Sequence, residues 1–218
     1  MVRFAIPTLA LAATTVAALS KSKGFNLAAH VTDPDSDLSP SVDGLLLTTA
    51  HTGAGFNAAV FDDASAGYER IFYQNGTDDD GASSKSSSTL LTDGGTPPFP
   101  YSLQVQPRGE PRRIVDISVG QGTHHYVDAR GRLVNAEDAE GEGAGSGSWL
   151  ACNAVVPYYN QTFTTLQYAY DFYRPGEDVA VPDGCAAIEL VARCTELNDL
   201  PDDAYSTHEF AVEVSCEK

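Results

Sequence analysis

The sequence predicts an all-β protein with minor helix: a single antiparallel β-sandwich or barrel-like domain held by disulfides. Three observations predict it. Side chains alternate apolar and polar with a period of two through most of the chain after residue 24. Stretches rich in Gly, Pro and Asp cut the alternation into short runs: "TDPDSDLSPSVDG", "TDGGTPPFP", "QPRGEP" and "RPGEDVAVPDG". There are four cysteines, an even number, as exported chains tend to have. Many short strands between turns are the signature of a sandwich or barrel.

Residues 1–18, with cleavage as late as 20 nearly as favourable, have the layout of a secretory signal peptide. Arg3 gives a positive start, Phe4 to Ala13 is mostly apolar, and small residues follow. Cleavage after Ala18 puts Val16 and Ala18 at the small-residue positions. A membrane anchor is the alternative. It needs ~20 apolar residues, and Pro7 with two threonines interrupts this run. The final "FAVEVSCEK" has no hydrophobic tail, which argues against a lipid-anchored form. Asn75-Gly76-Thr77 and Asn160-Gln161-Thr162 are acceptor triplets for N-linked glycans. The expectation is a secreted, extracellular protein.

Strands follow in order. Phe25, Leu27, Ala29 and Val31 share one face of "GFNLAAHV". Tyr101, Leu103 and Val105 do so in "PYSLQVQ", and Val115, Ile117 and Val119 in "RIVDISV". "FTTLQYAYDFY" groups Leu166, Tyr168, Tyr170 and Phe172. Phe210, Val212, Val214 and Cys216 fall together near the end. Each reads as a half-buried strand. "CAAIELVARC" is the one stretch able to form a short helix. Two polar stretches, 76–88 and 135–148, read as flexible insertions, because they hold almost no bulky apolar residues. The rest, 24–217, reads as one domain.

The formal charge is −17, and removal of residues 1–18 takes away only Arg3, leaving the mature chain slightly more acidic. Such a surface repels phosphates and anionic lipid, so nucleic acid and membrane are excluded as partners. A well-solvated surface explains the charge without a specific partner.

"LLLTTAHTGAGFNAAVF" matches the letters of a dinucleotide loop, G-x-G-x-x-G/A, at Gly53, Gly55 and Ala58. Such a loop must open a helix whose N-terminus meets the pyrophosphate. Here only a few residues separate Gly55 from the acidic break at Asp62, too few for a crossover helix. Gly53 and Gly55 are better explained by backbone angles that a hairpin needs. A ligand-lined turn using His51 and Asn57 is the functional alternative.

Four cysteines allow three pairings. If "CAAIELVARC" is extended, Cys185 and Cys194 stand ~30 Å apart and on opposite faces. A disulfide needs Cα atoms within ~7 Å, which disfavours that pair. Cys194 falls on the face of Ile188 and Leu190, and Cys216 on that of Val212 and Val214. Both then point inward, which favours Cys194–Cys216 with Cys152–Cys185. The rival set is Cys152–Cys194 with Cys185–Cys216.

Asp33, Asp35 and Asp37 begin like a calcium loop. That loop then needs Gly at its sixth position and Glu at its twelfth. Leu38 and Gly44 stand there instead, so an acidic turn is the better reading. His124 and His125 are adjacent and point to opposite faces of a strand. They are poor joint ligands and read as a solvated pair. Tyr158, Tyr159, Tyr168, Tyr170 and Tyr173 are candidates for a sugar-stacking surface. Tyr168, Tyr170 and Phe172 are more simply core, so a sugar platform would come from the opposite side of that strand or from Tyr158 and Tyr159 in the "PYYNQT" turn. A glycosidase needs two carboxylates facing each other across a cleft, which sequence does not show. No G-x-S-x-G or H-E-x-x-H is present. No catalytic residue, metal site or cofactor is expected.

Five stretches together carry a resemblance: "HTGAGFNAAV", "RIFYQNGT", "LTDGGTPPFPYSLQVQ", "LACNAVVPYYNQTFTTLQYAY" and "ELNDLPDDAYSTHEFAVEVSC". The chain resembles, over roughly 24–217, a family of small secreted proteins of filamentous ascomycete fungi built on a domain of unknown function. Members are labelled hypothetical or cell-wall-associated, and some carry an IgE-binding tag. The resemblance implies a β-rich extracellular domain and supplies no catalytic residues. Residues 135–148 depart most from it. The reading is a secreted, non-catalytic protein of the fungal surface or cell wall, or one facing a host. A carbohydrate-binding module and a wall-polysaccharide hydrolase are the alternatives. Its expected partners are cell-wall polysaccharide or a host protein.

Overall fold

The computed structural model describes residues 19–62, 69–76, 88–105, 113–136, 147–169 and 181–218. Residues 1–18, where a signal peptide is expected, and most of 76–88 and 135–148 lie outside these residues, as do Tyr170, Phe172 and Tyr173. The ends of the two polar stretches are built into the fold: Ser88, Asn135 and Ala136 are buried.

The described residues form sixteen strands and one turn of 3-10 helix at Pro34–Ser36. The first seven strands are β1 (Leu19–Ser22), β2 (Gly24–Val31), β3 (Leu46–Gly53), β4 (Phe56–Asp62), β5 (Phe72–Asn75), β6 (Thr89–Gly94) and β7 (Phe99–Gln104). Then come β8 (Arg113–Ile114), β9 (Asp116–Ser118), β10 (His125–Val127), β11 (Leu133–Asn135), β12 (Ser148–Val156) and β13 (Gln161–Ala169). The last are β14 (Cys185–Thr195), β15 (Ala211–Val212) and β16 (Val214–Glu217).

The pairings close on themselves twice. One circuit runs β14-β12-β13-β4-β3-β2 and returns from β2 to β14. A second runs β4-β3-β2-β5-β6-β7-β9 and returns to β4. Closure removes exposed edges, which a long β-rich chain must otherwise guard. Every pairing is antiparallel except the short parallel contact of β14 with β16, at Arg193 and Glu217. One large cluster fills the interior, with Phe25, Leu47, Leu90, Ile117, Leu166 and Leu190 fully enclosed. The period-two face of β2 is buried throughout, as alternation requires.

Two features differ from the sequence reading. "CAAIELVARC" is a strand, β14, and not a short helix. Its Ala, Glu, Leu and Arg favour helix, but β12 and β2 pair with it on both sides, and those ladders outweigh local propensity. The face drawn through Phe210 and Val212 also breaks. Phe210 is 51 % exposed, and Ala211 is the buried residue. The chain shifts there from pairing with β5 to pairing with β1, and the shift flips the alternation.

The acidic stretch at 33–43 binds its own backbone. Asp33 caps the 3-10 turn, accepting from the Asp35 N–H and the Ser36 hydroxyl. Asp37 accepts from the N–H groups of Leu38 and Val42 and from Ser41. Burial works against the Asp37 carboxylate, but these hydrogen bonds outweigh it and lower its pKa.

Candidate functional site

The sulfurs join neighbouring strands. Cys152 is bonded to Cys185, its direct partner across β12 and β14, with Cα atoms 4.0 Å apart. Cys194 is bonded to Cys216, where β14 meets β16, at 5.1 Å.

The glycine-rich stretch is a hairpin. β3 pairs with β4 in register, His51 opposite Asn57, and a bulge intervenes before Gly53 pairs with Phe56. Gly55 has φ +76°, and a Cβ there would lie 2.7 Å from Val119 Cγ2. Only glycine meets both demands. Gly53 differs from expectation: its φ is not positive, and its place is in the bulged strand beside the Phe56 ring.

His51 and Asn57, opposite each other on this hairpin, point to different places. Asn57 is buried; its amide donates to the Ile117 carbonyl at 2.8 Å. Its own N–H donates to Ser118 Oγ. Asn57 is thus a tie between β4 and β9 and belongs to no surface site. His51 is exposed, and its ring meets the edge of Tyr158 at 5.7 Å between centroids. Tyr158 meets Tyr159 at 5.1 Å, and Tyr159 meets Phe163 at 5.4 Å. Four aromatic rings from two distant hairpins therefore form one row. The join follows from the sheet order, which places β13 beside β4 and β4 beside β3. Beneath the row, Phe163 packs on a small cluster of Ala50, Ala58, Val60 and Val156.

Tyr158 is 60 % exposed and Tyr159 39 %. Exposed rings held edge to face on a rigid base present flat apolar surfaces beside polar tips. That combination suits the C–H face and hydroxyls of a sugar ring. Phe163 was not foreseen in the sequence, where it reads as an ordinary strand residue.

A cavity of about 520 Å³ lies elsewhere, floored by Trp149 and Tyr168 and rimmed by Arg130, Arg132 and Glu189. Trp149 and Tyr168 face each other across β12 and β13, rings 4.6 Å apart, and Trp149 Nε1 donates to the Leu133 carbonyl. Two carboxylates line it. Asp128 accepts from the N–H groups of Arg130 and Arg132. Glu189 pairs with Arg132. Behind Trp149 lies His125, which corrects the solvated-pair reading: it is fully buried. Its Nδ1 contacts the Thr123 carbonyl at 2.9 Å, so Nδ1 carries the proton. Among the described residues, Nε2 is buried without a hydrogen-bond partner. Burial, aided by His124, pushes the imidazole down to about 4, against the Thr123 contact.

A third polar group ties the C-terminal segment down. Asp93 accepts from His208 Nε2 at 2.8 Å and from the Tyr73 hydroxyl at 3.2 Å. Burial, with the Asp93 charge, raises the Tyr73 pKa well above its ordinary value. Arg70 donates to the Asp93 carbonyl and to Thr49 Oγ1.

Fold and site together define a disulfide-bonded, closed β-protein with an exposed aromatic row. Comparison with known sequences places it further. The chain belongs to the family described as domain of unknown function DUF7907, whose model matches residues 22–194. It is 36 % identical over 209 residues to Antigenic protein SchS34 of Stachybotrys chartarum, covering 91 % of this chain and 87 % of that protein. No solved structure matches it.

Proposed function

We propose that this is a secreted, non-catalytic protein of the fungal surface or its surroundings that binds wall carbohydrate through the row His51–Tyr158–Tyr159. The observation that carries the reading is the convergence of His51 and Tyr158, from separate hairpins, into one exposed aromatic surface. Asn57 drops out of the site. Secretion is supported by two disulfides, which persist in oxidising compartments. Among the described residues no helix is long and apolar enough to cross a membrane.

The non-catalytic reading draws support from the cavity carboxylates. Asp128 is held by two backbone N–H groups of its own turn and Glu189 by Arg132, so each serves a contact within the fold. The Stachybotrys relative, an antigenic protein by name, supports a second, host-facing reading, in which the secreted protein meets host antibodies.

Retention of the purified protein on chitin, β-glucan and cellulose tests the proposal. The expected result is retention on at least one polymer, lost in Tyr158→Ala/Tyr159→Ala with folding intact. Passage of the wild-type protein through all three unretained would refute carbohydrate binding. N-terminal sequencing of protein secreted by a eukaryotic host tests export; a mature chain beginning at Leu19 is expected.

A further inference from the structure

Asn160 closes the four-residue loop Pro157–Asn160 between β12 and β13. Its backbone is left-handed, φ 51°, and its N–H donates to the Val156 carbonyl at 3.0 Å. Asn tolerates this conformation better than most residues. Asn160, Gln161 and Thr162, the whole acceptor triplet, are exposed at the hairpin tip. Asn75 offers a contrast. It sits inside β5 between Thr89 and Ala211, and its Oδ1 is buried.

The two residues before Asn160 are Tyr158 and Tyr159, both exposed rings of the aromatic row. A glycan on Asn160 would therefore leave the same tight bend as these rings. Its first sugar, an N-acetylhexosamine, has an apolar C–H face and an acetyl methyl group. Attachment gives that sugar an effective concentration of ~mM or more at the rings, so a contact of only mM affinity is already about half formed. Sugar and aromatic need no further pocket.

We propose that an N-linked glycan on Asn160 folds back over Tyr158 and Tyr159, so that occupancy of this triplet governs access of outside sugar to the aromatic row. The proposal rests on export for the glycan to be added, and on the carbohydrate reading for its consequence.

The test secretes the full chain from a eukaryotic host as wild type, Thr162→Ala and Thr162→Ser. Thr162→Ala removes the glycan and keeps Asn160; Thr162→Ser keeps the triplet. Peptide mass mapping gives occupancy. Nitration by tetranitromethane gives the accessibility of each tyrosine, with Tyr205, 71 % exposed, as internal reference. With the tethered sugar over the rings about half of the time, Tyr158 and Tyr159 react about twofold more slowly in wild type and Thr162→Ser than in Thr162→Ala. Tyr205 should react equally in all three. Equal rates at Tyr158 and Tyr159 with Asn160 occupied would overturn the proposal, as would an unmodified Asn160 in the secreted protein. Retention on polysaccharide is scored separately. Protection of the rings with no polymer retained by any variant would sink carbohydrate binding alone and leave the glycan contact standing.

Discussion

His125 should make this protein acid-sensitive, by an amount the structure sets. The imidazole is fully enclosed beside Trp149, with Nδ1 on the Thr123 carbonyl and Nε2 facing no acceptor among the described residues. A proton added at Nε2 would place an unsolvated charge and an unpaired donor in the interior. The folded protein therefore protonates His125 only near pH 4, from an ordinary value near 6.5. Between those limits the unfolded chain binds the extra proton and the folded chain does not. Stability from this group is then complete above about pH 6.5 and lost as pH falls towards 4. With these two values the group alone removes ~2 kcal/mol between pH 7 and pH 5. In a domain of this size that is roughly 4–8 °C in Tm. Urea unfolding at pH 7 and pH 5 measures it, with His125→Asn as the comparison. Asn keeps an amide donor for the Thr123 carbonyl and cannot titrate, so it costs stability at neutral pH but flattens the acid slope. Contributions from other groups are common to both proteins and cancel. Parallel stability–pH curves for wild type and variant would refute the reasoning, as would an NMR titration of His125 with an ordinary midpoint.

Other expectations follow from single features. Gly55→Ala forces a side chain into φ +76° and against Val119, so Tm should fall by several degrees by differential scanning calorimetry. Gly55→Asn tolerates the backbone angle but brings the same Cβ against Val119, so it should not recover the wild-type Tm. Replacing both Cys152 and Cys185 by Ala opens a cross-link between residues 33 apart in sequence; the chain-entropy cost is about 3–4 kcal/mol, readable as a lower urea midpoint. His208→Ala removes one hydrogen-bond donor from the buried Asp93 carboxylate and should cost ~1–3 kcal/mol in the same assay. Tyr158→Ala should abolish polymer retention while shifting Tm by little, because that ring is mostly solvent-facing.

Much of the fold can be read from local pattern. The alternation in "GFNLAAHV" names the buried face of β2 correctly because a strand's side chains must alternate. The short interval after Gly55 rules out a phosphate-binding helix on length alone, and a hairpin stands there. Other residues resisted. Local composition made "CAAIELVARC" ambiguous, since helix propensity and strand alternation coexist in it. Nothing near Asn57 in sequence shows that its amide is needed by Ile117. Nothing near His125 shows that it lies behind Trp149.

The aromatic row divides the two kinds of information most sharply. His51 and the two tyrosines stand out in sequence as separate candidates, each exposed in a turn or at a strand end. Their union depends on β13 lying beside β4, a pairing between segments about a hundred residues apart. The strand class, the turns and the acceptor triplet at Asn160 are legible in chain order, because each rests on neighbouring side chains and backbone angles. Which faces meet, and which polar groups are sealed from water, is settled by packing. Contact and burial are properties of packed neighbours that chain order does not contain.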